Sequence, residues 1–262
     1  MISELNDSNF DAVYSIISQD PLSNITLIAD ITQLRDACDI RVLTEDNGIS
    51  AVFSLYKDLD FVATAFWSEG VDALNEIIQD FADDLAGKEF VAICTKDQLK
   101  QLSSVCAKVN PLKERQMVVD RATKLIVKAD AIPERLTRAD VESLRELYSL
   151  SGTPAWTPNA LDLGPFYGIK NEMGDVISVA GVHYVTPCCA EMGNVATHPD
   201  HRQKGLAAAC VKAVVDELFT ITPGVLLHFF EDNAAAQKLY ESMGFRYSRV
   251  DPVYFVKACL QE

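Results

Sequence analysis

Residues 191–210 have the pattern of a strand, a tight turn and a helix, and this order constrains the fold more than any other feature of the chain. Glu191 to Thr197 is predicted to be the strand. Pro199 ends it, because proline has no backbone N–H to donate to a sheet. Apolar residues at helical spacing then give the next helix one core face; they are Leu206, Cys210, Ala213, Val214 and Leu218.

The predicted first turn of that helix, Arg202 to Leu206, carries two cations, although a helix N-terminus favours anions. The first N–H groups of a helix have no partner within it, and Gly205 lets a ligand approach the backbone closely. With the charges of Arg202 and Lys204, the turn suits a bound pyrophosphate. An ordinary strand-to-helix turn with solvated basic side chains is the alternative at this point.

A second motif, N-A-A-A-Q-K-L-Y-E-S-M-G-F, occupies residues 233–245. With it, the last half of the chain resembles the GCN5-related N-acetyltransferases, the GNAT family. Arg202 to Ala207 match the family's R/Q-x-x-G-x-G/A loop, and residues 233–245 match N-x-x-A-x-x-L-Y-x-x-x-G-F. The spacing between the motifs fits one helix and one strand. Ala207 stands where the strictest form of this loop has its second glycine, and alanine is a common variant there.

The resemblance implies an α/β architecture with a mixed sheet, the GNAT fold, in the C-terminal domain. It also implies acetyl-CoA as co-substrate. The strand end would pair with the pantetheine chain through its main chain, the loop would hold the pyrophosphate, and the helix of the second motif would contact the co-substrate. The residues concerned are Val195, Ala196, Thr197, Arg202, Gln203, Lys204, Gly205, Leu206, Ala207, Asn233 and Tyr240.

Acetyl transfer needs a held thioester, a neutral amine and a proton for the departing thiolate. The resemblance implies Tyr240 as the acid, since a phenol has a suitable donor and an intrinsic pKa near 10. The alternative is a tyrosine that packs beside Leu239. Glu191 is the base candidate, because histone-type members carry a glutamate at the same distance before the loop. A carboxylate partly buried in the sheet would have a raised pKa; the alternative is an edge glutamate that faces solvent.

The length of 262 residues allows two domains, predicted at residues 1–125 and 126–262. The first half has helices, three strands, helix, strand, helix and strand, an order similar to the acetyltransferase layout. No R-x-x-G-x-G/A loop occurs there. A degenerate second copy and an unrelated α/β domain are both consistent with this order. The first half is expected to shape the acceptor cleft or a homodimer interface.

The formal net charge of −15 argues against a nucleic-acid partner and weakly favours a cationic acceptor such as an amine. No apolar run approaches the length of a membrane span, and no basic region precedes an apolar one at the N-terminus. These features predict a soluble cytoplasmic protein without a membrane partner.

The histidines and cysteines do not predict a metal site. His198 and His201 form H-x-x-H without an evident third ligand, and His183 and His228 lie in strand patterns typical of core histidines. The seven cysteines show no metal or disulfide spacing, and Cys188-Cys189 is predicted to be a surface turn.

The function predicted from the sequence is acyl-CoA-dependent N-acyl transfer, with acetyl as the acyl group and direct attack by a primary amine in a ternary complex. A non-catalytic acyl-CoA-binding regulatory module is the alternative. The pairing of Glu191 with Tyr240 favours catalysis over this alternative.

Overall fold

The computed structural model describes residues 1–151 and 156–260. The chain forms two compact units, one made of Met1–Gln116 with Ser248–Glu262 and the other of Met117–Tyr247. The predicted boundary was after residue 125, whereas this division falls after Gln116 and again before Ser248. The C-terminal segment therefore belongs to the first unit. The predicted loop after the helix that ends near Ser151 falls partly on residues 152–155, which lie outside the described residues.

Thirteen strands and nine α-helices are found in the described residues. The strands are β1 (Ile2–Glu4), β2 (Cys38–Glu45), β3 (Gly48–Tyr56), β4 (Val62–Ser68), β5 (Phe90–Cys94), β6 (Cys106–Asp120), β7 (Glu134–Arg135), β8 (Tyr167–Lys170), β9 (Val176–Val185), β10 (Ala190–Thr197), β11 (Gly224–Phe230), β12 (Arg246–Tyr247) and β13 (Val253–Leu260). The helices are α1 (Phe10–Ile17), α2 (Pro21–Ile31), α3 (Val71–Gln79), α4 (Ala82–Leu85), α5 (Lys96–Val105), α6 (Val141–Ser151), α7 (Ala160–Leu163), α8 (Leu206–Ile221) and α9 (Ala234–Met243).

The first unit is a mixed sheet of order β1-β2-β3-β4-β5-β13-β6, covered on both faces. Its first four strands are antiparallel, and β4 and β5 are parallel. Successive strand side chains point to opposite faces. Accordingly, Val52 packs with the apolar residues of α1 and α2, whereas its neighbour Phe53 packs with those of α3, α4 and α5.

The second unit repeats this strand order. Its sheet runs β7-β8-β9-β10-β11-β6, and β12 pairs with β6. The first four strands are again antiparallel, and the fourth and fifth, β10 and β11, are again parallel. The sixth position is filled by β13 in the first unit and by the end of β6 in the second. This repetition supports the interpretation of the first unit as a second copy of one fold.

Several element boundaries differ from the predicted ones. Pro21 begins α2 at a position where its missing N–H costs nothing, and does not merely end α1. Apolar residues at helical spacing predict a single helix over Val71 to Leu85. The structure divides this segment into α3 and α4, and the predicted apolar face, Leu74 to Leu85, is buried. The strand predicted at residues 116–119 is only the end of the 15-residue β6. Within the described ranges, no helix has both the length and the apolar character that a membrane span requires.

Candidate active site

Strand β10 separates from its neighbour β11 near the middle of the second unit. In the described part of the chain, their parallel register comprises Ala190 opposite Val225 and Glu191 opposite Leu226. Both strands continue beyond these pairs, β10 as far as Thr197. The strand end that the sequence assigned to pantetheine, Val195 to Thr197, therefore lies beyond the last residue that pairs with β11.

A β-bulge in β10 follows its last pair with β11. The register between β10 and β9 shifts between Gly193 and Ala196, where Asn194 has a positive φ of 52°. Asn194 Nδ2 donates to the carbonyl of Val182 at 3.0 Å, and the Tyr148 hydroxyl donates to the carbonyl of Asn194 at 2.8 Å. A bulge bends the strand that contains it. Asparagine tolerates this left-handed conformation better than most residues; the sequence analysis did not predict the bulge.

The loop after β10 holds the two predicted cations ahead of the helix. Helix α8 begins at Leu206, so the prediction that Arg202 lies in its first turn was wrong. Gln203 and Gly205 have φ values of 61° and 77°, and these left-handed residues turn the chain before the helix starts. Arg202 Nε donates to the carbonyl of Thr197 at 3.2 Å, and Lys204 Nζ donates to that of Asp200 at 3.1 Å.

The arrangement of this loop fits a bound pyrophosphate. Residues 202–205 are exposed, and among the described residues no side chain caps the N-terminus of α8. A Cβ added at Gly205 would lie 2.9 Å from the Cβ of Ala129, so glycine is required by space as well as by its φ. Leu206 and Ala207 open the helix whose first N–H groups point at the loop.

Helix α9 places the second motif beside β11. Asn233 caps it, because its Oδ1 accepts from the backbone N–H of Ala236 at 3.0 Å, and Gly244 ends it in a left-handed conformation. Tyr240 is only 5% exposed. Its ring lies 5.8 Å from that of Phe229 and 5.4 Å from that of Phe245. Burial raises the pKa of Tyr240, so its hydroxyl stays protonated at neutral pH.

Glu191 does not face solvent as an edge residue; it is buried against His228. The Nδ1 of His228 lies 3.1 Å from Oε1 of Glu191, and each side chain is 7% exposed. Burial alone would raise the pKa of Glu191, but the imidazole of His228, helped by His183, holds that pKa well below its usual range. The expectation of a raised pKa was therefore wrong, because no local pattern indicated the imidazole partner.

His228 belongs to this site, although its strand pattern predicted a core histidine. Only the register identifies it: His228 follows Leu226, the last residue opposite β10, by two positions and so shares a face with Glu191. His183 covers Gly193 on the neighbouring strand, where an added Cβ would lie 2.2 Å from its Nε2. Desolvation lowers the pKa of His183.

The loop histidines lie apart from this pair. His198 and His201 have ring centroids 5.7 Å apart, and Nδ1 of His198 accepts from the backbone N–H of Asp200. Across residues 1–151 and 156–260, no three His, Cys, Asp or Glu side chains are grouped so as to hold a metal ion.

Comparison with known proteins agrees with this geometry. Residues 134–245 match the model of the acetyltransferase (GNAT) family. A solved structure from Novosphingobium aromaticivorans, assigned to the GNAT family, is 19% identical, with a TM-score of 0.68 over 92% of this chain and 99% of its own. A tandem GNAT protein from the clavulanic acid pathway is 10% identical, with a TM-score of 0.67 over 99% and 98%.

A GCN5-related N-acetyltransferase from Sphaerobacter thermophilus is 11% identical, with a TM-score of 0.67 over 99% of this chain and 95% of its own. At these identities the structures establish the fold, and they do so over both units. None of the curated proteins matches the chain. The family model shows that residues 134–245 are a GNAT acetyltransferase domain, and the solved structures share the fold of the whole chain.

Proposed function

We propose that the second unit transfers an acetyl group from acetyl-CoA to a primary amine, by direct attack in a ternary complex. The observation that carries the proposal is the separation of β10 from β11 beyond Glu191, directly before an exposed cationic loop. Two parallel strands that part in this way leave main-chain groups for an extended ligand, and the cationic loop directly after that strand end supports a ligand with an anionic end.

The chain's own residues would hold the co-substrate at two places, the end of β10 and the loop before α8. Main-chain groups of Val195 to Thr197 would pair with its amide chain. Ser178 Oγ donates to the carbonyl of Ala196 at 3.3 Å, which helps to fix that strand end. Arg202, Lys204 and the first N–H groups of α8 would bind the pyrophosphate, and Gln203 would present its backbone at the turn.

Proton transfers complete the proposed reaction. When bound, acetyl-CoA supplies a thioester whose C–S bond breaks as the amine nitrogen bonds to the acyl carbon. Tyr240 would give its hydroxyl proton to the departing sulfur, and its raised pKa keeps that proton in place beforehand. The proton lost by the amine would pass to the pair formed by Glu191 and His228.

Charge and cysteine chemistry indicate the surroundings of the reaction. A net charge of −15 favours a cationic acceptor, as an amine is before it loses its proton. All seven cysteines are free thiols, which fits the reducing conditions of the cytoplasm. The first unit is proposed to shape the acceptor cleft or to form a homodimer interface.

The test is thiol release from acetyl-CoA in the presence of a panel of amines, with mass detection of the acetylated product. We expect release only when an acceptor is present, and intersecting initial-rate lines when both substrates are varied. Tight binding of CoA by calorimetry, without thiol release for any amine, would contradict the transferase and favour a binding module.

A further inference from the structure

We propose that His228 is the base that takes the proton of the acceptor amine, and that Glu191 is a positioning residue that acts through His228. This inference rests on the proposed N-acyl transfer and names the proton acceptor within it.

The hydrogen bond between the two residues fixes which nitrogen of the ring is basic. An ionised carboxylate only accepts hydrogen bonds, so the contact of 3.1 Å between Glu191 Oε1 and His228 Nδ1 requires the proton on Nδ1. The lone pair of the neutral ring is then on Nε2. With both side chains 7% exposed, the ring is held in this orientation by a contact shielded from water.

The position of His228 places this ring at the gap between the strands. Glu191 and Leu226 form the last parallel pair, and His228 lies two residues further along β11. Phe229, the next residue, points to the opposite face and contacts the ring of Tyr240. The proposed base and the proposed acid therefore lie on opposite faces of the sheet, beside the gap in which the reacting carbonyl would lie.

Glu191 itself is poorly suited to be the base. One of its oxygens is bonded to His228, and its pKa is held well below the usual range despite burial. A carboxylate of such low basicity is a weak acceptor for an amine proton but a good partner for an imidazolium. The other titratable groups that face this pair are His183 and Tyr184 of β9 and Cys189 just before β10.

The proton balance of the step is complete without a further reactant. As the N–C bond forms, the amine proton passes to Nε2 of His228, directly or through a water, and the imidazolium is stabilised by the Glu191 carboxylate. The C–S bond breaks and the sulfur takes the proton of Tyr240. Return of the imidazole proton to solvent and reprotonation of Tyr240 restore the starting state.

The pH dependence of kcat distinguishes the two candidate bases. It is measured at saturating substrates with an acceptor whose amine titrates outside the tested range, so that kcat reports groups of the ternary complex. We expect His228→Gln to lower kcat by roughly 10²–10⁴ and to remove the acidic limb of the profile. Glu191→Gln should lower kcat less and keep the limb, displaced to lower pH, because the imidazolium loses its counter-charge.

His183→Gln is the matched variant, since it removes the neighbouring imidazole and leaves the bond between Glu191 and His228; the limb should remain. The opposite pattern, in which Glu191→Gln removes the limb and His228→Gln keeps it, would overturn the inference and make Glu191 the base. A normal rate and profile in folded His228→Gln would overturn it as well.

A second measurement does not depend on turnover. In protein labelled with ¹⁵N-histidine, the signals of His228 are assigned by their loss in His228→Gln, and we expect them to show the tautomer protonated at Nδ1. The tautomer protonated at Nε2 would overturn the inference even if the enzyme is active. If the unmodified chain releases no thiol with any amine, the proposed transfer fails, whereas the tautomer still reports the geometry of the pair.

Discussion

The two units share a strand order and differ in the residues beyond the point where their parallel strands part. In the first unit, the parallel register of β4 and β5 ends at Thr64 opposite Ala92, and β4 continues to Ser68. In the second, it ends at Glu191 opposite Leu226, and β10 continues to Thr197. Both sheets therefore have the same gap, and among the described residues the two gaps differ in the side chains that border them.

Aligning the units on these last pairs shows the substitution of the reactive residues. Thr64 stands in the place of Glu191, and Cys94 in that of His228. Counted from the helix N-caps, Leu102 of α5 matches Tyr240 of α9. Threonine and leucine have no titration near neutral pH, and burial raises the pKa of the Cys94 thiol.

The main chain of the gap differs as well. In the first unit, Gln98 of α5 donates from Nε2 to the carbonyl of Phe66 at 2.9 Å, so a side chain already uses the end of β4. Only Glu69 and Gly70 connect β4 to α3, whereas residues 198–205 connect β10 to α8. The fold thus persists through its apolar pattern, while the chemistry depends on a few residues beyond the gap.

The largest expected effect comes from removing the hydroxyl of Tyr240, a group that the first unit lacks because Leu102 stands at the matching position. Tyr240→Phe removes one oxygen and keeps the ring between Phe229 and Phe245, so kcat should fall by roughly 10²–10⁴ while CoA affinity holds. Steady-state kinetics and calorimetry measure the two quantities. Tyr56→Phe, in the first unit, is the control and should leave kcat unchanged. Near-normal turnover in Tyr240→Phe would make this tyrosine a packing residue, equivalent to Leu102.

Neutralising the loop should have the next largest effect. In the double variant Arg202→Gln with Lys204→Gln, CoA affinity should fall by roughly 10- to 100-fold, because charge-assisted contacts to phosphate are lost. Calorimetry with CoA measures the loss. Lys212→Gln is the control: it changes a cation of α8 that pairs with Asp216 away from the loop, and this variant should bind CoA normally. Equal CoA affinity in the double variant and in Lys212→Gln would exclude the loop as the pyrophosphate site.

Buried carboxylates also distinguish the units, since the pKa of Asp30 is raised to about 7 by its burial, only partly offset by Ser54 and Cys38. The folded state then binds this proton more tightly than the unfolded chain does. The resulting loss of stability grows as the pH rises above the pKa of Asp30 in the unfolded chain, and it is complete above about pH 7. As the pH rises from 5 to 8, the free energy of unfolding of Asp30→Asn should therefore rise by on the order of 2 kcal/mol relative to that of the unmodified chain. Denaturant unfolding measures this difference. A constant difference would show that Asp30 titrates normally.

Local patterns predicted the parts of this comparison that depend on neighbouring residues. The motif residues Arg202, Gly205 and Asn233 identified the loop and the helix cap, and the apolar spacing over Val71 to Leu85 located the start of α3. Pairing could not be read in the same way. The bulge at Asn194, the bond between Glu191 and His228, and the place of β13 in the first unit all depend on which strands lie side by side, and a strand pattern carries no record of its partner.

The smallest expected effect tests whether Gln98 alone keeps the first unit from binding CoA. Gln98 has two bonds: its Oε1 accepts from the backbone N–H of Thr95 at 2.9 Å, and its Nε2 donates to the carbonyl of Phe66. Gln98→Glu keeps the first bond and removes the second, which leaves the Phe66 carbonyl without this donor. The free energy of unfolding should fall by about 1–3 kcal/mol. In Gln98→Ala, which also loses the cap, the free energy of unfolding should fall further.

Neither variant should create a second CoA site, because the first unit still lacks a loop between β4 and α3 and the cations within it. Calorimetric titration should therefore give one CoA per chain for both variants, as for the unmodified protein. Two per chain would show that the glutamine alone closes the first gap and that a cationic loop is dispensable for CoA binding in this fold. The role assigned to Arg202 and Lys204 would then depend on the double variant alone.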